Sequence, residues 1–389
     1  MTRAKINPTI LRWARQRLQL TEAEVTEKIG LKNKPEILQS WEQGERFPTF
    51  RQAQELARVL RIPFGYLFLS QPPQTILPID DFRTLPEAQR GKFSPELEDV
   101  LNDARRKSDW LRERRMETGQ SALAFVGRFS INTSADIISE DIRVVLDLPM
   151  PTAKNVKTRE EHLRTLVLHA EKAGIIVLQS GYVGSNTHRA LSVEEFRGFA
   201  LADRYAPLIF LNAKDSVNGR IFTLAHELAH IWTGTSGISN PEAVLPENGQ
   251  NALERLCNQV AAELLVPTRV FRERWKDCPL TEETVQELAN EFRVSVLVIL
   301  IRGYETGSLS AKEFHSAYAE AMGKVRKRVN DESYEPGGGD FYRTFYTHNG
   351  RLLVSEIVQA VGEGAVLYKE AADLLNVSPK TLEKALSGL

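Results

Sequence analysis

The spacing of apolar residues predicts a mostly helical N-terminal region. Apolar residues recur with a helical period in five short segments between residues 7 and 70. Thr21 and Thr49 stand where helix N-caps are expected, and Pro35 stands in the first turn of a third helix. The pattern therefore predicts a small head domain of five helices.

Beyond the head, helical and strand-like patterns follow one another. A Pro-rich segment at 71–92 precedes a long polar helix near 95–118, and an amphipathic helix covers 158–173. Apolar runs at 174–178, 199–201 and 208–211 predict strands. Later helices are predicted at 217–234, 251–265, 268–276, 281–292, 295–302 and 310–329, with two or three more in 341–389.

These elements predict an α+β fold that is mostly α. We expect four parts: the head at 1–70, a Pro-rich linker and helix at 71–120, a helix-rich domain with a small sheet at 121–305, and a helical C-terminal region at 306–389. A run of three glycines at 337–339 predicts a flexible break within the last part.

Composition excludes several classes of protein. Hydrophobic residues make up 42% of the chain and charged residues 26%, which is ordinary for a globular protein and excludes wholesale disorder. The two cysteines, Cys257 and Cys278, are too few for a disulfide framework or a multi-cysteine metal cage. Since neither a long apolar run nor a signal-peptide pattern occurs, we expect a cytoplasmic protein without a membrane partner.

Charge is distributed unevenly along the chain. Residues 1–70 carry 12 Lys and Arg against 7 Asp and Glu, whereas the whole chain has a net charge of -1. A basic head on an acidic body is typical of a DNA-binding module, although a small helical domain with a basic surface has the same pattern.

The strongest chemical signal is the sequence His226-Glu227-Leu228-Ala229-His230. Histidines four residues apart lie on one face of a helix, where both imidazoles can bind one zinc ion. Glu227 lies beside that face and can accept a proton from a water activated by the metal. Apolar residues surround the motif, so we expect a buried helix.

Catalytic zinc usually has three protein ligands, so a third is needed. The other histidines show no paired spacing, and we therefore expect a carboxylate. Glu254 and Asn258 share one face of the next helix, whereas Glu263 lies on the opposite face and is expected to be solvated. Glu254 is thus the ligand candidate, with Asn258 as its orienting partner or as an internal helix contact.

Other residues near the motif leave alternatives open. Glu242 and Glu247, in the loop before the second helix, are weaker ligand candidates, and Cys257 is expected to be a buried small hydrophobe. Only Tyr205 and His188 suggest themselves as stabilisers of an oxyanion. The strand at 208–211 can either take an extended substrate by strand addition or be an ordinary buried strand.

Two motifs in the central region resemble the ImmA/IrrE family of metallopeptidases. The matching residues are Phe222, Thr223, Leu224, Ala225, His226, Glu227, Leu228, Ala229 and His230, followed by Glu254, Cys257, Asn258, Ala261, Ala262, Leu264, Leu265 and Pro267. The resemblance covers about 150–300 and implies a zincin-like domain with zinc held by His226, His230 and Glu254 and with Glu227 catalytic. It further implies cleavage of a helix-turn-helix repressor.

The head resembles the Xre family of helix-turn-helix domains. The matching residues are Leu11, Arg12, Ala14, Arg15, Leu20, Thr21, Ile29, Gly30, Leu31, Trp41, Glu42, Gly44, Glu45, Pro48, Thr49, Leu56, Ala57 and Leu60. In that fold the second helix of the pair enters the major groove. By that resemblance the DNA-contacting candidates are Asn33, Lys34, Glu36 and Gln39, although the stretch from Gly30 to Trp41 is about two residues longer than usual.

The order of head, linker, peptidase and tail is similar to fused Xre–ImmA/IrrE regulators, some of which are encoded beside a toxin. Two hypotheses follow. The chain is either a zinc endopeptidase that cleaves a regulatory protein, or an antitoxin or autorepressor that binds a cognate toxin with its peptidase silent or conditional. Because Xre heads often dimerise, the resemblance also implies a homodimer.

Overall fold

Local capping signals decide where the head helices begin. In the computed structural model of the chain, Thr21 and Thr49 each accept a hydrogen bond from the backbone three residues on and complete a capping box. Asn7 caps the first helix by accepting from Thr9 N. The head helices are α1 (Pro8–Arg17), α2 (Glu22–Lys28), α3 (Pro35–Glu42) and α4 (Phe50–Val59), followed by a 3-10 helix at Phe64–Phe68.

The structure describes the greater part of the chain. The described residues are 3–18, 20–32, 34–73, 79–81, 93–149, 157–184, 186–239, 252–276, 279–331 and 341–387. Most of the predicted linker, the glycine run at 337–339, Cys278, Glu242, Glu247 and Asn33 lie outside these ranges. The chain divides into two units, with Met1–Pro78 and Lys92–Glu98 in the first and Ile79–Gly91 and Asp99–Leu389 in the second.

The head has its own apolar core and one buried ion pair. Ile10, Leu11, Leu38 and Leu56 are fully buried in it, as their helical spacing predicts. The Arg15 guanidinium donates to both carboxylate oxygens of Glu42, at 2.7 and 2.8 Å. This pair joins the first and third helices inside the core.

The second unit is built on a five-stranded mixed sheet, and a separate two-stranded hairpin accompanies it. The strands are β1 (Asp80–Asp81), β2 (Ile176–Ser180), β3 (Tyr182–Val183), β4 (Asn186–Ala190), β5 (Gly198–Leu201), β6 (Leu208–Asn212) and β7 (Gly237–Ser239). The sheet order is β1-β7-β5-β6-β2, with β5 antiparallel to both neighbours and the outer pairs parallel; β3 and β4 form the hairpin.

The position of β6 corrects one expectation. Leu208 pairs with Ile176 on one side and with Leu201 on the other, and all five residues of the strand are buried. Both edges of β6 are therefore occupied, and this strand cannot take an extended substrate by strand addition. The structure shows the alternative role, that of an ordinary buried strand.

Helices surround this sheet. They are α5 (Pro95–Glu117), α6 (Ala135–Val145), α7 (Arg159–Lys172), α8 (Val217–Thr233), α9 (Ala252–Leu265), α10 (Thr268–Trp275), α11 (Glu282–Glu291), α12 (Val296–Glu305), α13 (Ala311–Asp331), α14 (Phe341–Asn349), α15 (Arg351–Gly362), α16 (Tyr368–Leu374) and α17 (Pro379–Ser387). The mostly α, α+β fold class is confirmed. Among the described helices, none combines the length and apolarity needed to cross a membrane.

Residues 341–387 correct a second expectation, since they hold four helices where two or three were predicted. Gly350 separates α14 from α15 with a φ of 75°. A Cβ at this position would lie 3.0 Å from Glu171 Oε1 and 3.1 Å from the carbonyl oxygen of Val177. The break between the two helices therefore requires glycine on both conformational and steric grounds.

Candidate metal centre

Helix α8 carries the two histidines and the glutamate of the predicted zinc motif. It begins at the N-cap Ser216, whose side chain accepts from Gly219 N, and ends at Gly234 in the left-handed conformation. Every residue from 221 to 232 is buried, because the helix packs on α7, α9 and the sheet. His226, Glu227 and His230 all have 0% exposure.

Glu254 completes a cluster of three possible ligands. The His226 and His230 Nε2 atoms lie 3.1 Å apart, and the Glu254 carboxylate lies 3.4 Å from the first and 3.1 Å from the second. The three ligand atoms lie within 4.8 Å of one another. A tetrahedral zinc ion with bonds of about 2.0–2.1 Å has ligand atoms about 3.3 Å apart, so the spacing fits the metal.

The second nitrogen of each imidazole has an oxygen partner. His226 Nδ1 lies 2.9 Å from Asn258 Oδ1, and His230 Nδ1 lies 3.0 Å from Thr235 Oγ1. An amide oxygen only accepts, so the His226 Nδ1 must carry the hydrogen and leave Nε2 free to bind a metal. Asn258 was expected to orient Glu254; the hydrogen bond found in the structure joins it to His226 instead.

Electrostatics favour an ionised third ligand. Burial raises the pKa of Glu254, but the charge of His226 and hydrogen bonds from both histidines more than offset this and lower the pKa to about 2. Burial also lowers the pKa of His230, which favours the neutral imidazole that a metal binds. The set thus offers one carboxylate and two aromatic nitrogens, a donor set that zinc prefers.

Glu227 is buried, and neither of its carboxylate oxygens has a hydrogen-bond partner among the residues that the structure describes. Burial raises its pKa to about 8, although the charge of His226 opposes the effect. Two orphaned oxygens in a closed site are costly unless something else compensates them. A nearby cation and a water or substrate group would supply that compensation.

Two residues that the sequence did not single out form part of the wall of the site. Gly198 on β5 lies against the glutamate, since a Cβ there would stand 3.2 Å from Glu227 Oε1 and 2.5 Å from Thr223 Cγ2. Ser239, fully buried at the end of β7, has its Oγ 3.5 Å from His230 Nε2. Both come from strands, and no spacing within the zinc motif indicates them.

The remaining candidates near the motif lie elsewhere. Glu263 was expected to be solvated, but its carboxylate accepts from Thr268 N and Oγ1 and lies 3.2 Å from Arg302 Nη2. Cys257 is buried as expected, and burial raises its thiol pKa well above the usual value. His188 is exposed on β4, and Tyr205 lies in the turn between β5 and β6.

In the head, the predicted DNA-contacting side chains lie around α3. Lys34 is its N-cap residue, and Glu36 and Gln39 are exposed in the first and second turns of the helix. Glu36 gives the exposed face a negative charge, whereas Leu38 and Trp41 bury the opposite face. The arrangement leaves the polar face available to a ligand, with Lys34 as its cation.

Comparison with protein families agrees with this geometry. Residues 170–303 match the IrrE N-terminal-like domain, Peptidase_M78, and residues 11–67 match a helix-turn-helix domain, HTH_3. The chain joins an Xre-like helix-turn-helix domain to an IrrE-like peptidase domain. The three possible metal ligands, Glu227 and Asn258 all fall within the peptidase match. No curated protein matches the chain.

This combination of domains supports a role in regulation. A helix-turn-helix domain supports DNA binding and regulation of transcription, and the IrrE-like domain belongs to a metallopeptidase family. His226, His230 and Glu254 could bind the metal that such a family uses.

Proposed function

We propose that this chain is a zinc-dependent endopeptidase that cleaves a specific regulatory protein, such as a helix-turn-helix repressor. The observation that carries the proposal is the convergence of two imidazole nitrogens and one carboxylate beside a buried glutamate. A purely structural metal site has no use for a second, unpartnered carboxylate such as that of Glu227.

The residues of the site divide the chemistry between them. His226, His230 and Glu254 would hold zinc, which when bound polarises a peptide carbonyl and lowers the pKa of a water molecule. Glu227 accepts a proton from that water as the water oxygen attacks the carbonyl carbon. The same carboxylate then delivers the proton to the nitrogen as the C–N bond breaks, leaving a carboxylate and an amine.

The burial of the site favours a second candidate function. Three of the four side chains have 0% exposure and Glu254 only 9%, so the described residues leave little of the site open to a substrate carbonyl. A chain whose peptidase is silent or conditional could act by binding, as an antitoxin that sequesters a cognate toxin or as an autorepressor. The two candidates differ in whether Glu227 is needed.

The peptidase proposal is tested with a substrate trap. Tagged wild type, Glu227→Gln and the exposed control Glu287→Gln are expressed in cells that carry the native gene neighbourhood, and bound proteins are identified by mass spectrometry. A protein held intact by Glu227→Gln, but absent or cut with wild type and control, supports a peptidase and names its substrate. A partner held intact and equally by all three overturns hydrolysis and supports binding alone.

We also propose that the head binds DNA through Asn33, Lys34, Glu36 and Gln39, as a homodimer in the cytoplasm. Because Lys34 is basic and Glu36 is acidic, removing either charge should change the affinity for DNA in opposite directions. Lys34→Gln should weaken binding of a promoter fragment from the chain's own locus, and Glu36→Gln should strengthen non-specific binding because a repulsion with phosphate is lost. Fluorescence anisotropy at several salt concentrations measures both, and equal affinities for all variants would argue that the head docks on protein instead.

A further inference from the structure

A groove of about 680 Å³ lies in the second unit between α11, α12 and α13. Its apolar lining is continuous with the core of the unit and includes Val285, Val296, Leu300, Ala317 and Ala321. The volume is that of a small-molecule site, and such sites combine an apolar wall with a few polar groups. None of the possible metal ligands lines the groove.

One of the polar groups is a guanidinium without a counter-ion. Arg159 Nη2 donates to Asn290 Oδ1 and to the carbonyl oxygen of Val294, but its Nε is buried with no partner. No carboxylate among the described residues lies within ion-pair distance of it. Burial and the nearby charge of Arg293 lower the pKa of Arg159, and the charge of Glu160 opposes them.

The acidic residues of the lining are already engaged. Lys324 Nζ lies 2.7 Å from Glu282 and 3.0 Å from Glu320. Glu313 accepts from the backbone nitrogen and the hydroxyl of Ser310. Lys312, by contrast, has no ion-pair partner among the described residues. The lining thus carries three cations and three carboxylates, and Arg159 and Lys312 are the cations that have no ion-pair partner among the described residues.

Helix geometry adds to the positive potential. Arg159, Asn218, Glu282 and Val296 line the groove, and each lies in the first turn of its helix, α7, α8, α11 and α12 respectively. Helix N-termini carry partial positive charge. The buried Asn218 Oδ1 also has no hydrogen-bond partner in the described part of the chain, and rotation of the amide would offer Nδ2–H at the same place.

We propose that this groove binds a small amphipathic carboxylate. Its anionic group would pair with Arg159, where a planar guanidinium with an unused donor matches a carboxylate. Its apolar portion would lie along Val296, Leu300 and Ala321 and displace water from them. The inference stands on the groove and its unpaired cations, so it is independent of peptidase activity.

Calorimetric titration of the full-length chain tests the site, with octanoate as the anionic probe and octanol as its uncharged match. Octanoate is expected to bind wild type with one molecule per chain and at least tenfold more tightly than octanol does. Arg159→Gln should weaken octanoate binding at least tenfold and leave octanol unchanged. Arg269→Gln, an arginine with a 91% exposed side chain on α10, is the matched control and should bind as wild type does.

Two further variants keep the test decisive if Arg159→Gln does not fold. Ala321→Trp should fill the apolar wall and abolish binding of both probes, and Lys312→Gln should weaken octanoate alone. The proposal is overturned if wild type does not bind octanoate. It is also overturned if the folded variants bind both probes as tightly as wild type.

Discussion

Removing the oxygen that faces His226 Nδ1 should weaken the metal site without touching a ligand. Asn258 Oδ1 lies 2.9 Å from this nitrogen, and it fixes both the tautomer and the orientation of the ring. Asn258→Leu keeps a side chain of similar size but offers no acceptor. The ring can then rotate or change tautomer. Zinc binding becomes weaker because the ring must first return to the orientation and tautomer that present Nε2 to the metal.

The size of the effect follows from similar partners of metal-binding histidines. Their loss typically weakens metal binding about 10- to 100-fold, which corresponds to about 1.4–2.7 kcal/mol. Asn258→Asp retains an oxygen at the same place and makes it a stronger acceptor. We therefore expect zinc to bind Asn258→Asp at least as tightly as wild type.

Competition with a fluorescent zinc chelator measures this on the full-length chain at one fixed pH. Asn102→Leu, at an exposed position of α5, is the matched control and should bind zinc as wild type does. The reasoning is refuted if folded Asn258→Leu binds zinc within threefold of wild type. It is also refuted if Asn258→Asp is as weak as Asn258→Leu, since the acceptor would then be irrelevant.

Three further predictions concern packing, pH and the head. Gly198→Ala should destabilise the chain by about 1–3 kcal/mol, because its Cβ would stand 2.5 Å from the Thr223 methyl and 3.2 Å from Glu227 Oε1, and it should lower the proposed peptide hydrolysis. Burial raises the pKa of Glu171 to about 7, so the folded chain keeps a proton that the unfolded chain releases near pH 4.5. This difference contributes about 3 kcal/mol to the free energy of unfolding below pH 4.5, and the contribution is lost as the pH rises to 7. Glu42→Ala should destabilise the head by about 1.5–3 kcal/mol, because Arg15 loses two charge-assisted hydrogen bonds and keeps Glu22 as its ion-pair partner.

Each of these has its own measurement and control. Gly323→Ala, with no atom within 4 Å of the added Cβ, should be neutral or stabilising in chemical denaturation; equal effects at both glycines would contradict the packing argument. The free energy of unfolding of Glu171→Gln should fall below that of wild type at low pH and recover relative to wild type by pH 8. A constant difference in this free energy between pH 5 and 8 would contradict the assigned pKa. Hydrogen exchange of α1 and α3 should become faster in Glu42→Ala far more than in Glu55→Ala, which removes an exposed ion pair with Arg58. Equal increases in the two variants would contradict the importance of the pair between Arg15 and Glu42.

The sequence was informative wherever a feature depends on neighbours along one helix. The spacing of His226 and His230, the face of Glu254 and the capping boxes at Thr21 and Thr49 are all set by helical periodicity. The bounds of the later helices were predicted closely for the same reason. Helix α6 was missed, although Ile138 and Ile142 show the required spacing.

The features that depend on contacts between distant segments could not be predicted. The partner of Asn258 depends on how α9 crosses α8, and the wall formed by Gly198 and Ser239 depends on sheet order. The hairpin of β3 and β4 has mostly polar, exposed residues and so carries no alternation. Glu263 looked solvated because its ion-pair partner, Arg302, comes from another helix.

Metal content tests the central claim most directly. Wild type, Glu254→Gln and Glu263→Gln are purified, dialysed against a mild chelator and analysed for zinc by mass spectrometry, with circular dichroism to confirm folding. Both glutamates lie on α9, but only Glu254 lies beside the histidines. The account predicts one zinc per chain in wild type and Glu263→Gln and far less in Glu254→Gln. Equal zinc in all three variants, or none in folded wild type, would contradict it.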